Sequence, residues 1–331
     1  MRISFRSYAA AVVSLLGLMV APVLAQDAPK NVNIVSVAGP VSGNWSFAMA
    51  ALGKVMTDKN PTWTYKLIPG ASASNPLRVQ KKDGVFSFTQ HTMAVAGVQG
   101  SEPFRKPVKN VSSIINMHDL TRFHIIVPAE SPIKTIDQIK SSGKALSIAP
   151  GPRGSVTELA FRWALDEYGI SYADIRKNGG TIIFNNYSDT ATMMQDGNID
   201  VWCWFGSGEG AAMQELANSM KIRWLSIDPD LLKNIETKHG VTPSVVPASY
   251  GGGQAGEGVH CIADTTELIV SSDLPEDVVY TMTKNILESV DDLRTTMPAW
   301  TDFRPETAWQ DHGFETHPGA LRYYREIGVI K

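Results

Sequence analysis

The chain has 331 residues, of which 43% are hydrophobic and 19% charged, with a formal net charge of −3. This is a globular composition, long enough for two domains and without a tract that reads as disordered. It excludes a general nucleic-acid binder, which needs a basic patch or stripe.

The first predicted element is an export signal. MRISFR supplies Arg2 and Arg6 without an acid, and residues 8–24 are apolar. Val23-Leu24-Ala25 sets small residues where a cut after Ala25 needs them. Removing residues 1–25 takes the formal charge from −3 to −5. No cysteine follows the cut for a lipid anchor, and Arg2 and Arg6 are not adjacent as a twin-arginine signal requires. No later stretch approaches the ~20 consecutive apolar residues of a membrane span. The expectation is an exported, soluble, periplasmic protein.

Next come two stretches of the same form. Residues 31–56 (NVNIVSVAGPVSGNWSFAMAALGKVM) read as strand, glycine turn and helix. Residues 145–169 (ALSIAPGPRGSVTELAFRWALDEYG) read the same way. The spacing gives the second helix a capping box, with Ser155 as N-cap and Glu158 three residues on, and Gly169 as its stop. Further strands are predicted at Phe123–Val127, Thr181–Phe184 and Ile199–Phe205. A helix is predicted from Ser188 to near Gly197, and a long one from Leu274-Pro275-Glu276-Asp277 towards Leu293. Such alternation implies α/β architecture with helices on both sheet faces. Two similar units roughly 115 residues apart suggest two related lobes.

The common catalytic signatures are missing. GPRGS lacks the Gly-Lys-Ser/Thr of a phosphate loop, and Gly151 and Gly154 do not complete a dinucleotide fingerprint. Phe205 stands where a nucleophile elbow at Ser207 needs glycine. The seven histidines are scattered, and no His-Glu-x-x-His zinc motif occurs. No catalytic residue, metal or cofactor is expected. What remains is glycine turns at strand ends, next to helix N-termini. There, free N–H groups and the helix dipole attract carboxylates or phosphates.

Several segments together carry a family resemblance. They are PGASASNPLRV (69–79), SFTQH (87–91), GSVTE (154–158), DGNIDVWCWF (196–205), PASYGG (247–252), LPEDVVYTMTKNILESVDDL (274–293) and HPGALRYYREIGV (317–329). In their order and spacing, over nearly all of the mature chain, the sequence resembles the TAXI group of periplasmic solute-binding proteins, which serve TRAP transporters. The resemblance implies a type II periplasmic-binding-protein fold, α/β, with two lobes joined by a hinge. Lobe 1 would comprise 26–127 plus 248–331, and lobe 2 would comprise 128–247. It further implies a monomer that closes on a small ligand and docks transiently on a TRAP-type membrane permease.

The departures fall at expected ligand positions. The family's Gly-Thr-Tyr-Tyr-Pro is Gly43-Asn44-Trp45-Ser46-Phe47 here, and its Gln-Ser-Asp is Gln90-His91-Thr92. Its proline before Gly-Ser-Gly-Thr is Arg153, and its small, proline-bearing loop after IDVWCWF is Gly206-Ser207-Gly208-Glu209.

The candidate ligand-binding residues are Asn44, Trp45, Ser72, Asn75, Gln90, His91, Arg153, Gly154, Ser155, Val156, Ser207, Glu209 and Tyr250. Arg153 either forms paired hydrogen bonds to a carboxylate or is a solvated loop residue. Trp45 either covers a ligand's carbon skeleton or belongs to the core. Ser72 and Asn75 either face the ligand or shape their turn. His91 either binds an anion, making uptake pH-sensitive, or is structural. Glu209 either pairs with a ligand amine or is solvated. Tyr250 either closes on the ligand or packs at the hinge.

Trp202 and Trp204 are expected on one face of their strand, Cys203 and Phe205 on the other. Cys203 and Cys261, assigned to different lobes, are expected to be free and buried. The leading function is capture of a small organic anion, a carboxylate or amino-acid-like compound. The alternatives are a periplasmic enzyme on the same fold, using His91 and Glu209 as acid and base, and a sensor presenting its ligand-bound form to a membrane receptor.

Overall fold

The computed structural model describes residues 29–39, 43–206, 210–296 and 300–331. The expected signal peptide lies outside them. The chain opens with β1 (Asn33–Val37), α1 (Asn44–Lys59), β2 (Thr64–Ile68), α2 (Asn75–Gln80), β3 (Phe86–Gln90), α3 (His91–Gln99) and β4 (Val111–Asn116). It continues with β5 (Thr121–Pro128), α4 (Gln138–Ser141), β6 (Ser147–Ala149), α5 (Val156–Glu167), α6 (Tyr172–Lys177), β7 (Thr181–Ile182), α7 (Tyr187–Gln195) and β8 (Val201–Gly206). Then follow α8 (Ala211–Ser219), β9 (Ile222–Trp224), α9 (Pro229–His239), β10 (Thr242–Val245), α10 (Tyr250–Gly253) and β11 (His260–Asp264). The last elements are β12 (Thr266–Ser271), α11 (Glu276–Leu287), α12 (Val290–Thr296) and α13 (Pro318–Glu326).

Two mixed sheets result. The first has the order β2-β1-β3-β12-β4, with β1, β2 and β3 parallel and β12 antiparallel to both β3 and β4. The second has the order β10-β11-β5-β8-β6-β7, and β9 pairs with the far end of β5. This is the expected two-lobed α/β architecture.

The sheets divide the chain elsewhere than at 127/128 and 247/248. All of β5 pairs in the second sheet, with Arg122 opposite Gly206, and β11 pairs there too, Asp264 opposite Thr121. The chain passes between sheets at residues 117–120 and returns at Thr265. Residues 121–127 and 248–264 were expected in lobe 1 but pack with the second sheet. The apolar run FHIIV fits both sides of that boundary, so only strand pairing separates them.

Strand alternation explains the cores. In β8, Trp202 and Trp204 enter one cluster and Val201 and Cys203 another, on the opposite sheet face. In β12, Leu268 and Val270 face α1, α11 and α13, while Ile269 faces α2 and α3. Cys203 and Cys261 are both free and buried. The separate-lobe reason fails, because both lie in the second sheet. They stay apart because they enter clusters on opposite faces.

Two local expectations change. Ser155 caps α5, but Glu158 does not close the reciprocal bond; its carboxylate accepts from Arg162 and Tyr172 instead. The single helix expected up to Leu293 divides into α11 and α12. Ser289 N–H bonds back to Ile286 O, which tightens the turn and keeps Leu287, Val290 and Leu293 in one core. At the other end of α5, Gly169 has φ 65°, Gly169 N–H bonds to Asp166 O, and Ile170 N–H bonds to Leu165 O. This left-handed stop is what the glycine predicts.

Candidate functional site

The parallel strands β1, β2 and β3 end at residues 37, 68 and 90; beyond them Asn44 and Trp45 open α1, Ser72 lies in the turn before α2, Asn75 opens α2, and Gln90 and His91 sit at the junction of β3 and α3. In the second sheet β6 ends at 149, before Arg153, Gly154, Ser155 and Val156. All of these lie at the carboxyl ends of strands, where α/β sheets hold their ligands.

The turn after β6 is built for a helix start. Gly151 has φ 98° and Gly154 has φ 78°, conformations that a side chain would strain. Ser155, almost fully buried, accepts Glu158 N–H at 3.4 Å and donates to Pro152 O at 2.7 Å. Val156 N–H, the first of the helix, donates at 3.0 Å to Ser72 Oγ from the other lobe. Ser72 is itself buried, and Thr89 Oγ1 donates to its carbonyl at 3.1 Å. Ala73 and Met93 of the first lobe pack into the α5 core cluster, and Arg162 pairs with Glu102 at 2.7 Å across the same seam.

Arg153 is exposed, with its guanidinium 3.8 Å from the Phe184 ring centroid. The ring face of Phe184 holds the cation in place. Phe184 was read only as a strand end, yet β7 stops at Ile182 and frees it to lie under Arg153. Thr157 and Tyr187 were also missed. Their hydroxyls meet at 2.6 Å, and the Tyr187 ring stands 4.5 Å from Trp204. Asn186, as N-cap of α7, was the available signal for Tyr187.

On the first lobe, α1 has Gly43 as N-cap, with no side chain capping it and no acid in its first turn. Asn44 is exposed; Trp45 is half-buried, its ring 5.3 Å from that of Phe88. Gln90 ends the strand on the Phe86–Phe88 side, and its buried Oε1 has no hydrogen-bond partner among the described residues.

Three candidates change role. Asn75 is fully buried; its amide donates to Ala38 O and Phe88 O, both at 2.9 Å, and its Oδ1 accepts Ala71 N–H at 3.0 Å. Those bonds make it the pin of its own turn. His91 Nδ1 lies 2.6 Å from the buried Glu267 carboxylate, which raises the imidazole pKa and occupies that nitrogen. Tyr250, assumed to follow the second crossing, precedes it. Its half-buried ring packs 5.8 Å from His124 against the core of the second sheet. Ser207 and Glu209 lie outside the described residues.

Among the described residues, no group of three or more His, Cys, Asp or Glu side chains is placed to hold a metal, and no helix is long and apolar enough to cross a membrane.

Three solved structures share the fold. MatC from Rhodopseudomonas palustris, with bound malate, has TM-score 0.56 and 15% identity, covering 89% of this chain and 96% of its own. The periplasmic binding protein BugD has TM-score 0.54 and 13% identity, covering 90% and 93%. XAC2383 from Xanthomonas citri, bound to ATP, has TM-score 0.50 and 12% identity, covering 90% and 96%. At these identities the likeness is one of fold. The sequence itself matches the NMT1-like family over residues 37–328, and the chain belongs to that family.

Proposed function

We propose that this chain is the extracytoplasmic solute-binding subunit of a TRAP-type transporter of the TAXI group. It captures a small organic anion between its lobes and delivers it to a membrane permease. The observation that carries this is the head of α5. A capped helix N-terminus, with Arg153 beside it over the Phe184 ring, lies at the carboxyl end of β6 against the other lobe. Helix dipole and guanidinium favour the same ligand, a carboxylate. On the facing lobe, the head of α1, with no acid in its first turn, and the half-buried Trp45 offer a second polar end and an apolar wall. Gln90 Oε1 is an acceptor awaiting a donor, which suits a ligand that carries a hydroxyl or an amine.

MatC, a structural neighbour, holds malate, a hydroxylated dicarboxylate. An anion of that general class is consistent with the groups here. The export signal expected at residues 1–25 supports a periplasmic location.

The test is a thermal-shift screen of the mature protein against organic acids, amino acids and neutral sugars. A ligand that binds only the folded state raises Tm with the logarithm of its concentration over Kd. Carboxylates should shift the transition and neutral sugars should not. The reverse pattern overturns the ligand class.

A further inference from the structure

Glu102 lies in the loop between α3 and β4 of the first lobe, and Arg162 lies on α5 of the second. The loop is pinned from within. Phe104 is buried in a cluster with Val79 of α2 and Ala94 of α3, and Val108 N–H donates to Gly97 O at 2.8 Å. Glu102 itself is exposed, and its carboxylate reaches out of its own lobe to accept from Arg162 Nη1 at 2.7 Å. It also acts electrostatically on His239 of α9, whose ring stacks 4.3 Å from that of Trp163 on α5.

Arg162 is held ready for that contact by its own lobe. Its Nε donates to Glu158 Oε1 at 2.9 Å, and the Tyr172 hydroxyl donates to the same oxygen at 3.1 Å. The Tyr172 ring meets the Phe184 ring edge-on, with centroids 6.4 Å apart, and Arg153 lies over the Phe184 face. One run of side chains therefore joins the cation at the candidate site to the cation at the seam. The helix joins them too. Val156, whose N–H reaches Ser72 of the other lobe, precedes Arg162 on α5 by about 9 Å of helix.

We propose that Glu102 and Arg162 are positioning residues that form an interlobe clasp, holding α5 and the candidate site at its head closed against the first lobe. The geometry sets the direction. With the lobes apart, Arg162 keeps Glu158 and Glu102 keeps water. Closing them adds one charge-assisted bond to a guanidinium that is already tethered, so little side-chain freedom is lost in making it. Opening breaks that bond together with the one between Ser72 and Val156. The Glu102 side chain is 54% exposed and that of Arg162 34%, so the clasp has the modest strength of a surface ion pair and salt weakens it.

Its use to a binding protein rests on the ligand cleft proposed above, but the clasp itself is measured on ligand-free mature protein. Val156 N–H is the reporter, because its acceptor lies on the other lobe. Glu158 N–H, bonded to Ser155 within its own lobe, is the control. Relative to that control, Glu102→Ala should speed amide exchange at Val156 by about two- to four-fold. Raising NaCl from about 20 to about 300 mM should speed exchange there in the wild type and not in Glu102→Ala. In an Arg162→Gln background, Glu102→Ala should add nothing. Wild-type exchange at Val156 in Glu102→Ala, equal speeding at Glu158, or an undiminished effect of Glu102→Ala in the Arg162→Gln background overturns the clasp. If Arg162→Gln does not fold, a salt response kept in full by Glu102→Ala does the same. None of these readings depends on the thermal-shift screen, so loss of the clasp and loss of the ligand class are told apart.

Discussion

Ser72 Oγ accepts the N–H of Val156 at 3.0 Å, across 84 residues of sequence and from one lobe to the other. Helix heads leave their first N–H groups without intrahelical partners, and here one is satisfied by the opposite lobe. Asp264 does the reciprocal service for Thr92 at the head of α3. Each lobe therefore completes a helix of its partner, and lobe packing is felt at both helix starts.

Ser72→Ala should loosen the seam by ~1 kcal/mol, the worth of one ordinary hydrogen bond. Amide hydrogen exchange at Val156 should speed up by about five-fold, with exchange in the β8 core unchanged. Equal speeding at both sites would mean a global effect and not a latch.

Arg153→Ala should weaken binding of a carboxylate ligand by ~1.5–3 kcal/mol through loss of a charge-assisted bond. Phe184→Ala should weaken it less, by ~0.5–1 kcal/mol, because the cation survives without its platform. Isothermal titration of both variants checks the order. Unchanged affinity in Arg153→Ala would return that residue to the solvated surface.

Asn75→Ala should act on stability. It strands the carbonyl of Ala38 and the N–H of Ala71, and removes one of two side-chain donors to the carbonyl of Phe88, the other being the Ser87 hydroxyl. A loss of about 3 kcal/mol is expected in denaturant unfolding. A variant of wild-type stability that binds ligand weakly would restore Asn75 to the site.

His124 is buried and neutral. Trp224 Nε1–H donates to its Nδ1 at 3.2 Å, and its Nε2 lies 3.2 Å from Gly206 O. Burial pushes its pKa down to about 4. The unfolded chain takes up this proton below ~6.5, so the stability it contributes is present above that pH and is lost as pH falls towards 4. His124→Gln isolates the imidazole: between pH 7.5 and 5 the variant should lose about 2 kcal/mol less than wild type. Equal losses would contradict a neutral buried His124.

Alkylation after unfolding without reductant should label both Cys203 and Cys261. Burial raises the Cys203 thiol well above its usual range and Cys261 to about 12, so neither should react in the folded protein.

Much of the second-lobe site was legible because its signals are local. Gly151, Gly154, Ser155 and Gly169 each have a backbone reason to be where they are, and their spacing alone marks α5. The two faces of β8 followed from period two. The crossings were not legible, because FHIIV is an equally good strand for either sheet and pairing is a long-range fact. Asn75 and His91 look like site residues in sequence. Their partners, Phe88 and Glu267, are brought to them only by the folded first sheet. Phe184 was hidden by the shortness of β7, which no apolar pattern reports.

The most direct test of the central claim is a crystal structure with the organic acid that gives the largest thermal shift. The account predicts its carboxylate at the head of α5, within hydrogen-bond distance of Arg153, with the carbon skeleton against Trp45. Density for the acid elsewhere, with the α5 head and Arg153 in contact only with solvent, would contradict it.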